Sequence, residues 1–176
     1  MDRRYAVIAE PELAASDRAW IERLRRRHDP LGQARVGPHL TLFFAAAIAD
    51  PAPLLRAMRR AAVRTKPFGV ALDRVLLLED VAGGFVICLG VSRGRAALVR
   101  LHDRLYAGAL APYRRADIAY EPHLTLGRRR RVDAADRLAA RIAAAEPDLR
   151  APIASLRLVE LGARAAIPGR RFRLQG

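Results

Sequence analysis

The chain has 176 residues, a net charge of +14 and a hydrophobic fraction of 52%. This length suits one domain that buries roughly 70% of its unfolded surface, and no apolar run approaches the ~20 residues that a membrane span needs. The first residues carry charge where a signal peptide is apolar, and the only cysteine, Cys88, excludes an intramolecular disulfide and a cysteine-based zinc site. We therefore expect a cytoplasmic, monomeric protein without a membrane partner.

The positive charge comes almost entirely from arginine, because Lys66 is the only lysine. A basic excess of this size favours polyanionic partners such as RNA, since each neutralised phosphate releases counterions. A compositionally biased genome, rich in alanine and arginine codons, explains the same excess equally well. The charge therefore leaves both explanations open.

The first half of the chain predicts strands and helices in alternation. The second element is a helix with Pro11 in its first turn and with Leu13, Trp20 and Leu24 on its apolar side. A turn at 80–84, which contains two successive glycines, ends this half. The elements expected before it are strands at 4–10, 39–44 and 68–78 and helices at 11–29 and 51–65.

The second half predicts the same series again. It contains strands at 84–91, 123–128 and 153–161, helices at 94–110 and 132–146, and a short last strand at 171–174. We therefore predict an α+β fold in which a β-α-β-α-β unit is duplicated, over about 4–80 and 84–162, within a single domain, 1–176. Each unit is too small to bury its own faces, so the two should share a sheet or a sheet-lined cleft.

A pentapeptide, Pro-His-Leu-Thr-Leu, occurs at 38–42 and again 84 residues later at 122–126. Alternate residues of a strand face opposite sides. His39 and Thr41 therefore share one side of their strand, and His123 and Thr125 share one side of theirs, with leucines behind. Two imidazoles and two hydroxyls would converge if the strands lie side by side.

Such a site suits a phosphodiester. Histidine has an ordinary pKa near 6.5, so one imidazole can accept a proton from water while the other donates one to the leaving alkoxide. Threonine hydroxyls can donate hydrogen bonds to the non-bridging oxygens. This chemistry needs no metal or other cofactor, and a zinc site is the weaker interpretation because Glu121 is the nearest candidate for a third ligand.

The two His-Leu-Thr-Leu segments resemble the paired His-x-Thr motifs of the 2H phosphoesterase superfamily, in particular its RNA 2′,3′-cyclic phosphodiesterase and 2′-5′ RNA ligase-like branches. The resemblance implies two pseudo-symmetric lobes with antiparallel sheets around a central cleft. It also implies metal-independent opening of cyclic phosphates on RNA ends or small nucleotides, sometimes with reversible 2′-5′ joining. By this analogy His39 donates the proton, His123 accepts one, Thr41 and Thr125 hold the phosphate, and Arg128 reaches the same oxygens.

Other residues carry weaker expectations. Phe44 occupies the position that corresponds to Arg128 and either stacks on a base or packs in the core. Tyr120 either lines a base pocket or lies in a loop or the core. His28 and His102 lack a threonine two residues on, so we expect neither in catalysis. The arginine runs at 25–27 and 128–131 are expected to be mostly solvated, and the alternative function is a non-catalytic RNA-binding module of the same fold.

Overall fold

The structure is a computed structural model that describes residues 3–115, 117–162 and 165–176. Over those residues the chain forms eight strands and five α-helices. The strands are β1 (Arg4–Ala9), β2 (Leu40–Ala47), β3 (Phe68–Glu79), β4 (Phe85–Val91), β5 (His123–Arg129), β6 (Leu149–Ile153), β7 (Ser155–Leu161) and β8 (Ala166–Arg173). The α-helices are α1 (Ala15–His28), α2 (Pro30–Arg35), α3 (Ala52–Val63), α4 (Arg95–Leu105) and α5 (Val132–Ala143), and a 3₁₀ helix spans Gly108–Tyr113.

The strands form two four-stranded antiparallel sheets, so the predicted α+β class is confirmed. The first sheet has the order β2-β1-β7-β8 and the second has the order β5-β4-β3-β6. Strand β3 follows the first motif along the chain but pairs in the second sheet, and β7 follows the second motif but pairs in the first sheet. Each sheet is therefore completed by strands from the other half of the chain.

The helices follow the same exchange. Helices α1 and α5 pack on the second sheet, whereas α3 and α4 pack on the first. One continuous hydrophobic core runs through both layers, and it includes the leucines that flank both motif threonines. No helix in the described residues has the length and apolar character that crossing a bilayer requires.

Several predicted elements have different ends in the structure. The strand expected at 153–161 is two strands, because the chain leaves the second sheet at Ile153 and enters the first at Ser155. The helix expected to reach 110 ends at Leu105, and the last strand is longer than the expected 171–174. Helix α2 was not expected; Pro30 stands at its first position and the Asp29 carboxylate accepts the Gly32 N–H at 3.3 Å.

Candidate active site

The two motif strands are the edge strands of their sheets and lie next to each other. Strand β2 ends the first sheet, β5 ends the second, and the two approach across the gap between the sheets. His39 immediately precedes β2, and His123 is the first residue of β5. The arrangement therefore brings together the two segments that the repeated pentapeptide singled out.

The leucines of both motifs form the buried side of each strand. Leu40, Leu42, Leu124 and Leu126 all have 0% exposure, whereas His39, Thr41, His123 and Thr125 are partly exposed. The alternation expected for these strands is confirmed over the pentapeptides. The hydrophobic effect of burying the leucines fixes which way the histidines and threonines face.

A β-bulge follows the threonine in each motif strand. Thr41 pairs with Ile8 and Phe43 with Val7, so Leu42 is an extra residue. Thr125 pairs with Cys88 and Gly127 with Ile87, so Leu126 is the extra residue in β5. A bulge reverses the alternation beyond it.

The bulge in β5 places Arg128 on the same face as the motif side chains. His123, Thr125 and Arg128 pair with Gly90, Cys88 and Val86, which are alternate residues of β4. Residues that pair directly in an antiparallel sheet point to the same side. Simple alternation from His123 would have placed Arg128 on the opposite face.

Gly127 allows this bulge to lie close against the helices behind it. A Cβ atom at this position would come within 2.9 Å of the His28 Cβ and 3.0 Å of a Leu138 methyl group. A glycine inside a strand is a signal for a bulge or a close approach. The sequence therefore contained a sign of the bulge that simple strand alternation overlooks.

The two catalytic candidates have the same ring orientation. The Nδ1 atom of His39 lies 2.8 Å from the Gly37 carbonyl oxygen, and that of His123 lies 2.8 Å from the Glu121 carbonyl oxygen. A carbonyl oxygen only accepts hydrogen bonds, so Nδ1 carries the proton in each neutral ring. The Nε2 atom of each ring is left to exchange a proton with a substrate.

Burial lowers the pKa of both imidazoles. The pKa of His39 is lowered to about 4, mainly by burial and also by the charges of Arg25 and His123, against the Gly37 hydrogen bond and the Glu10 carboxylate. Burial also lowers the pKa of His123, and the charge of Arg128 adds to this effect. Both rings are therefore neutral at pH 7.

Two carboxylates from the first half of the chain hold Arg128. Its guanidinium pairs with the Asp80 carboxylate and, through Nε, with the Asp29 carboxylate at 3.4 Å. Asp29 is 5% exposed, whereas the Arg128 side chain is about half exposed. A guanidinium has five N–H donors, so these pairs leave some of the Arg128 donors free.

The arginine run at 25–27 was expected to be solvated, and this is wrong for Arg25. Arg25 is 2% exposed, because the most buried face of α1 runs through Ile21, Arg25 and His28. The predicted apolar residues Leu13, Trp20 and Leu24 also pack against the core, but they are only partly buried. Its Nη2 group donates to the Val36 carbonyl oxygen at 2.8 Å, just before the first motif. Burial lowers the pKa of this guanidinium, with a partial offset from the charge of Asp29.

Three side chains from the second half fasten the free edge of β2. The Tyr120 hydroxyl donates to the Thr41 carbonyl oxygen at 2.8 Å, the His102 ring donates to the Leu42 carbonyl oxygen at 2.9 Å, and the Tyr106 hydroxyl accepts the Phe44 N–H at 2.8 Å. These bonds satisfy backbone groups that an edge strand leaves unpaired. They give His102 and Tyr106 a supporting role that sequence reasoning did not find.

The two aromatic candidates have different surroundings. Tyr120 stacks face to face on His102 with a centroid distance of 3.8 Å, and burial raises the pKa of its hydroxyl. Phe44 is 41% exposed, which rules out core packing, and its ring contacts Tyr120 edge-on at 6.3 Å. Phe44 therefore has ring surface available for a ligand, whereas one face of Tyr120 is covered.

Metal binding was the weaker interpretation of the motifs. The described residues contain no group of three or more His, Cys, Asp or Glu side chains placed to hold a metal ion. Glu121, the candidate for a third ligand, instead pairs with Arg74 at 2.9 Å and with Arg95 at 2.8 Å. These ion pairs and hydrogen bonds lower the pKa of its carboxyl, with Arg95 as the main cause.

Comparisons with known proteins identify the family and agree with the fold. The sequence profile of the 2′-5′ RNA ligase superfamily matches residues 11–164. E. coli LigT in complex with 3′-AMP has a TM-score of 0.67 at 21% identity over 100% of both chains, and TT0787 of Thermus thermophilus has 0.65 at 21% over 98% of both. Usb1 of Kluyveromyces marxianus has a TM-score of 0.57 at 13% identity over 98% of both chains. At these identities the likeness shows a shared fold, and no curated protein sequence matches the chain.

Proposed function

The chain belongs to the 2′-5′ RNA ligase superfamily, the 2H phosphoesterases, and from this premise we propose that it is a metal-independent phosphodiesterase that opens 2′,3′-cyclic phosphates on RNA ends or small nucleotides. The observation that carries the proposal is the facing pair of His-Leu-Thr-Leu strands, each with its Nδ1 proton fixed by a backbone carbonyl. The complex of E. coli LigT with 3′-AMP supports a nucleotide as the ligand class.

In the proposed reaction His123 is the general base and His39 the general acid. The neutral Nε2 of His123 takes a proton from water as the water oxygen forms a bond to phosphorus. Protonated His39 gives its Nε2 proton to the ribose oxygen as the bond from that oxygen to phosphorus breaks. One proton is taken and one is given, so the product is a phosphomonoester on the ribose.

This assignment of the two roles follows the family resemblance, because charges of both signs lie beside each ring. The charge of Arg25 lowers the pKa of His39 and that of Glu10 raises it, whereas the charge of Arg128 lowers the pKa of His123 and that of Glu121 raises it. A phosphodiester anion in the cleft would raise the pKa of His39 and so supply the acid that the empty site lacks. Protonation of His39 is thereby coupled to binding of the substrate.

The remaining side chains would hold the phosphate. The Thr41 and Thr125 hydroxyls and the free N–H groups of Arg128 donate to the non-bridging oxygens, where negative charge concentrates in the transition state. Each imidazole should contribute about 10²–10⁴-fold, or roughly 3–5 kcal/mol of barrier. When a 5′-hydroxyl of RNA replaces water, the same proton transfers would form a 2′-5′ linkage.

A second candidate is a nucleotide-binding module without turnover. It is favoured by one observation, the pKa of about 4 for His39, which leaves the empty site without a charged donor at neutral pH. If phosphate binding does not raise this pKa far enough, the cleft binds and does not react.

One assay separates the two functions. We expect the protein to open a 2′,3′-cyclic mononucleotide in the presence of EDTA, and His39→Ala and His123→Ala each to lower turnover by about 10²–10⁴-fold while nucleotide binding persists. Wild-type turnover in both variants would exclude the two-histidine mechanism. Binding of RNA without any opening of cyclic phosphate would establish the module, and loss of wild-type turnover in EDTA would indicate a metallohydrolase.

A further inference from the structure

A groove lies between helices α1 and α5 on the outside of the second sheet. Its volume is about 590 Å³, which is within the usual range for ligand pockets. One wall is the stripe Trp20, Arg23, Leu24 and Arg27 of α1, with Arg26 and His28 beside it, and the other is formed by Leu138, Arg141, Ile142 and Ala145. Both walls have the i, i+3, i+4, i+7 spacing of one helix face.

The groove combines an apolar floor with cationic rims. Leu138 and Ile142 are buried at its base, and Leu24 and the only tryptophan of the chain, Trp20, are partly exposed. The four arginines that line the groove are exposed. Trp20 and Leu24 pack against the hydrophobic core with part of their surface, and the part that stays exposed lies among the arginines.

The arginines of the groove have fewer acidic partners than the arginines at the other end of α5. Arg26 has only a distant contact of 3.9 Å with Glu22, and no ion pair within the described part of the chain involves Arg23, Arg27 or Arg141. At the other end of α5, by contrast, one aspartate pairs with both Arg131 and Arg137. Like charges held together without counterions favour an anionic ligand.

Arginines from both helices and from β5 lie close to His28. It is 8% exposed, and its Nδ1 accepts a hydrogen bond from Arg129. Burial lowers its pKa, and the charges of Arg129, Arg141 and Arg27 lower it further. The ring is therefore neutral at pH 7 and adds no repulsion of its own.

Arg129 connects the groove to the strand that carries His123. Beyond the bulge in β5, successive residues point to opposite faces, so Arg128 faces the active site and Arg129 faces His28. The active site and the groove therefore lie on the two sides of the same strand. An RNA held in the cleft would pass the edge of the second sheet to reach the groove.

We propose that the α1–α5 groove is a second binding site for single-stranded RNA, in which Trp20 stacks on a base and the rim arginines bind phosphates. The choice of RNA as the polyanion rests on the proposed function. An aromatic platform flanked by unpaired guanidiniums is the combination by which proteins bind single strands without reading sequence. RNA bound in the groove would thus account for part of the net positive charge of the chain.

Trp20 fluorescence tests the site directly, because no other tryptophan contributes. We expect a ten-residue oligouridylate with a 3′-hydroxyl to quench it saturably, with an affinity that falls steeply as salt increases. Arg27→Glu with Arg141→Glu should weaken the affinity by on the order of tenfold or more and flatten the salt dependence. Arg56→Glu with Arg59→Glu, the same charge change on exposed arginines of α3, is the matched control and should have little effect.

Three outcomes would overturn the proposal. Equal losses of affinity in both double variants would mean that RNA is attracted to the basic protein in general and not to the groove. Oligonucleotide binding seen by anisotropy without any change in Trp20 fluorescence would place RNA elsewhere. Equal quenching by oligoglutamate of the same charge would indicate an acidic polypeptide as the ligand.

Turnover separates this site from the catalytic one. The groove double variant and Trp20→Ala should open a cyclic mononucleotide at the wild-type rate and lose about tenfold in kcat/KM on a ten-residue RNA with a cyclic-phosphate end. Equal kcat/KM losses on both substrates would mean that the residues only support the fold, which circular dichroism checks. Absence of mononucleotide turnover in the wild type would refute the proposed function and leave the quenching result to stand alone.

Discussion

The two motif strands are alike in backbone and unlike in charge. Each is an edge strand, each fixes its histidine through the carbonyl two residues earlier, and each has a bulge directly after its threonine. The first exposed residue after each bulge differs, since it is Phe44 in the first strand and Arg128 in the second. A repeated backbone has therefore kept one geometry, whereas different charged groups lie beside the two rings, whose pKa values burial lowers in both cases.

This difference concerns which ring gives the proton and which takes it. In a symmetric pair both rings would have the same pKa, so neither would be the better proton donor or the better proton acceptor. Here the pKa of His39 is lowered to about 4 despite the nearby Glu10, and that of His123 is lowered with Arg128 beside it. A strongly lowered pKa makes His39 a strong acid once substrate has caused its protonation.

The largest expected effect comes from removing one imidazole, and a change of leaving group in the substrate shows which imidazole is the acid. His39→Ala should lose about 10²–10⁴-fold in kcat on a cyclic mononucleotide. A diester with a p-nitrophenol leaving group needs no acid, so His39→Ala should approach the wild-type rate on it, whereas His123→Ala should not. Steady-state rates on the two substrates check this, and rescue of His123→Ala instead would exchange the two roles.

A smaller effect should come from the residues that follow the two bulges. Arg128→Ala removes charge-assisted hydrogen bonds to the phosphate, each worth about 1.5–3 kcal/mol, and should lower kcat/KM by roughly 10- to 150-fold. Phe44→Ala should change kcat/KM on a mononucleotide far less, because it removes no charge. Arg130→Ala, on an exposed neighbour of the strand, is the control, and an equal loss there would assign the effect to net charge.

Stability should respond more modestly to the bonds that fasten β2. Tyr120→Phe and Tyr106→Phe each delete one hydrogen bond to the backbone of this strand, so each should lower the free energy of unfolding by about 0.5–1.5 kcal/mol. Tyr113→Phe is the control, since its hydroxyl makes no hydrogen bond to the described residues. Urea unfolding measures the three variants, and an equal loss in Tyr113→Phe would contradict the assignment.

The last expected effect is a pH dependence of stability. The pKa of His39 is lower in the folded than in the unfolded protein, so between pH 6.5 and about 4 the unfolded state binds more protons. The free energy of unfolding therefore decreases as the pH is lowered through this range. His39→Asn should flatten this slope more than His123→Asn does. Titration of the Cε1 protons by nuclear magnetic resonance supplies the individual values, and a His39 midpoint at or above 6.5 would refute the interpretation.

Periodicity predicted the fold class and nearly every element, because apolar spacing is a local property of the chain. The same spacing could not predict that β3 and β7 pair in the opposite sheet, because partner choice depends on how the two halves close on each other. The strand at 153–161 shows the limit, since a single extended segment contributes to both sheets on either side of Ala154.

The repeated pentapeptide identified the residues that the structure brings together, but not what surrounds them. Asp29 and Asp80 are far from Arg128 in sequence, and Arg25 looks like part of a solvated run until the packing of α1 buries it. The roles of Tyr106 and His102 depend on a helix of one half lying along an edge strand of the other. Only Gly127 gave a local signal, through its place inside a strand.

The pairing of β3 and β7 across the sheets has a consequence for the integrity of the molecule. A peptide cut in the turn between β3 and β4 would separate the chain into two pieces, neither of which contains all the strands of either sheet. Each piece would leave apolar strand edges exposed on its own. The two fragments should therefore stay associated after cleavage, as obligate complements of one another.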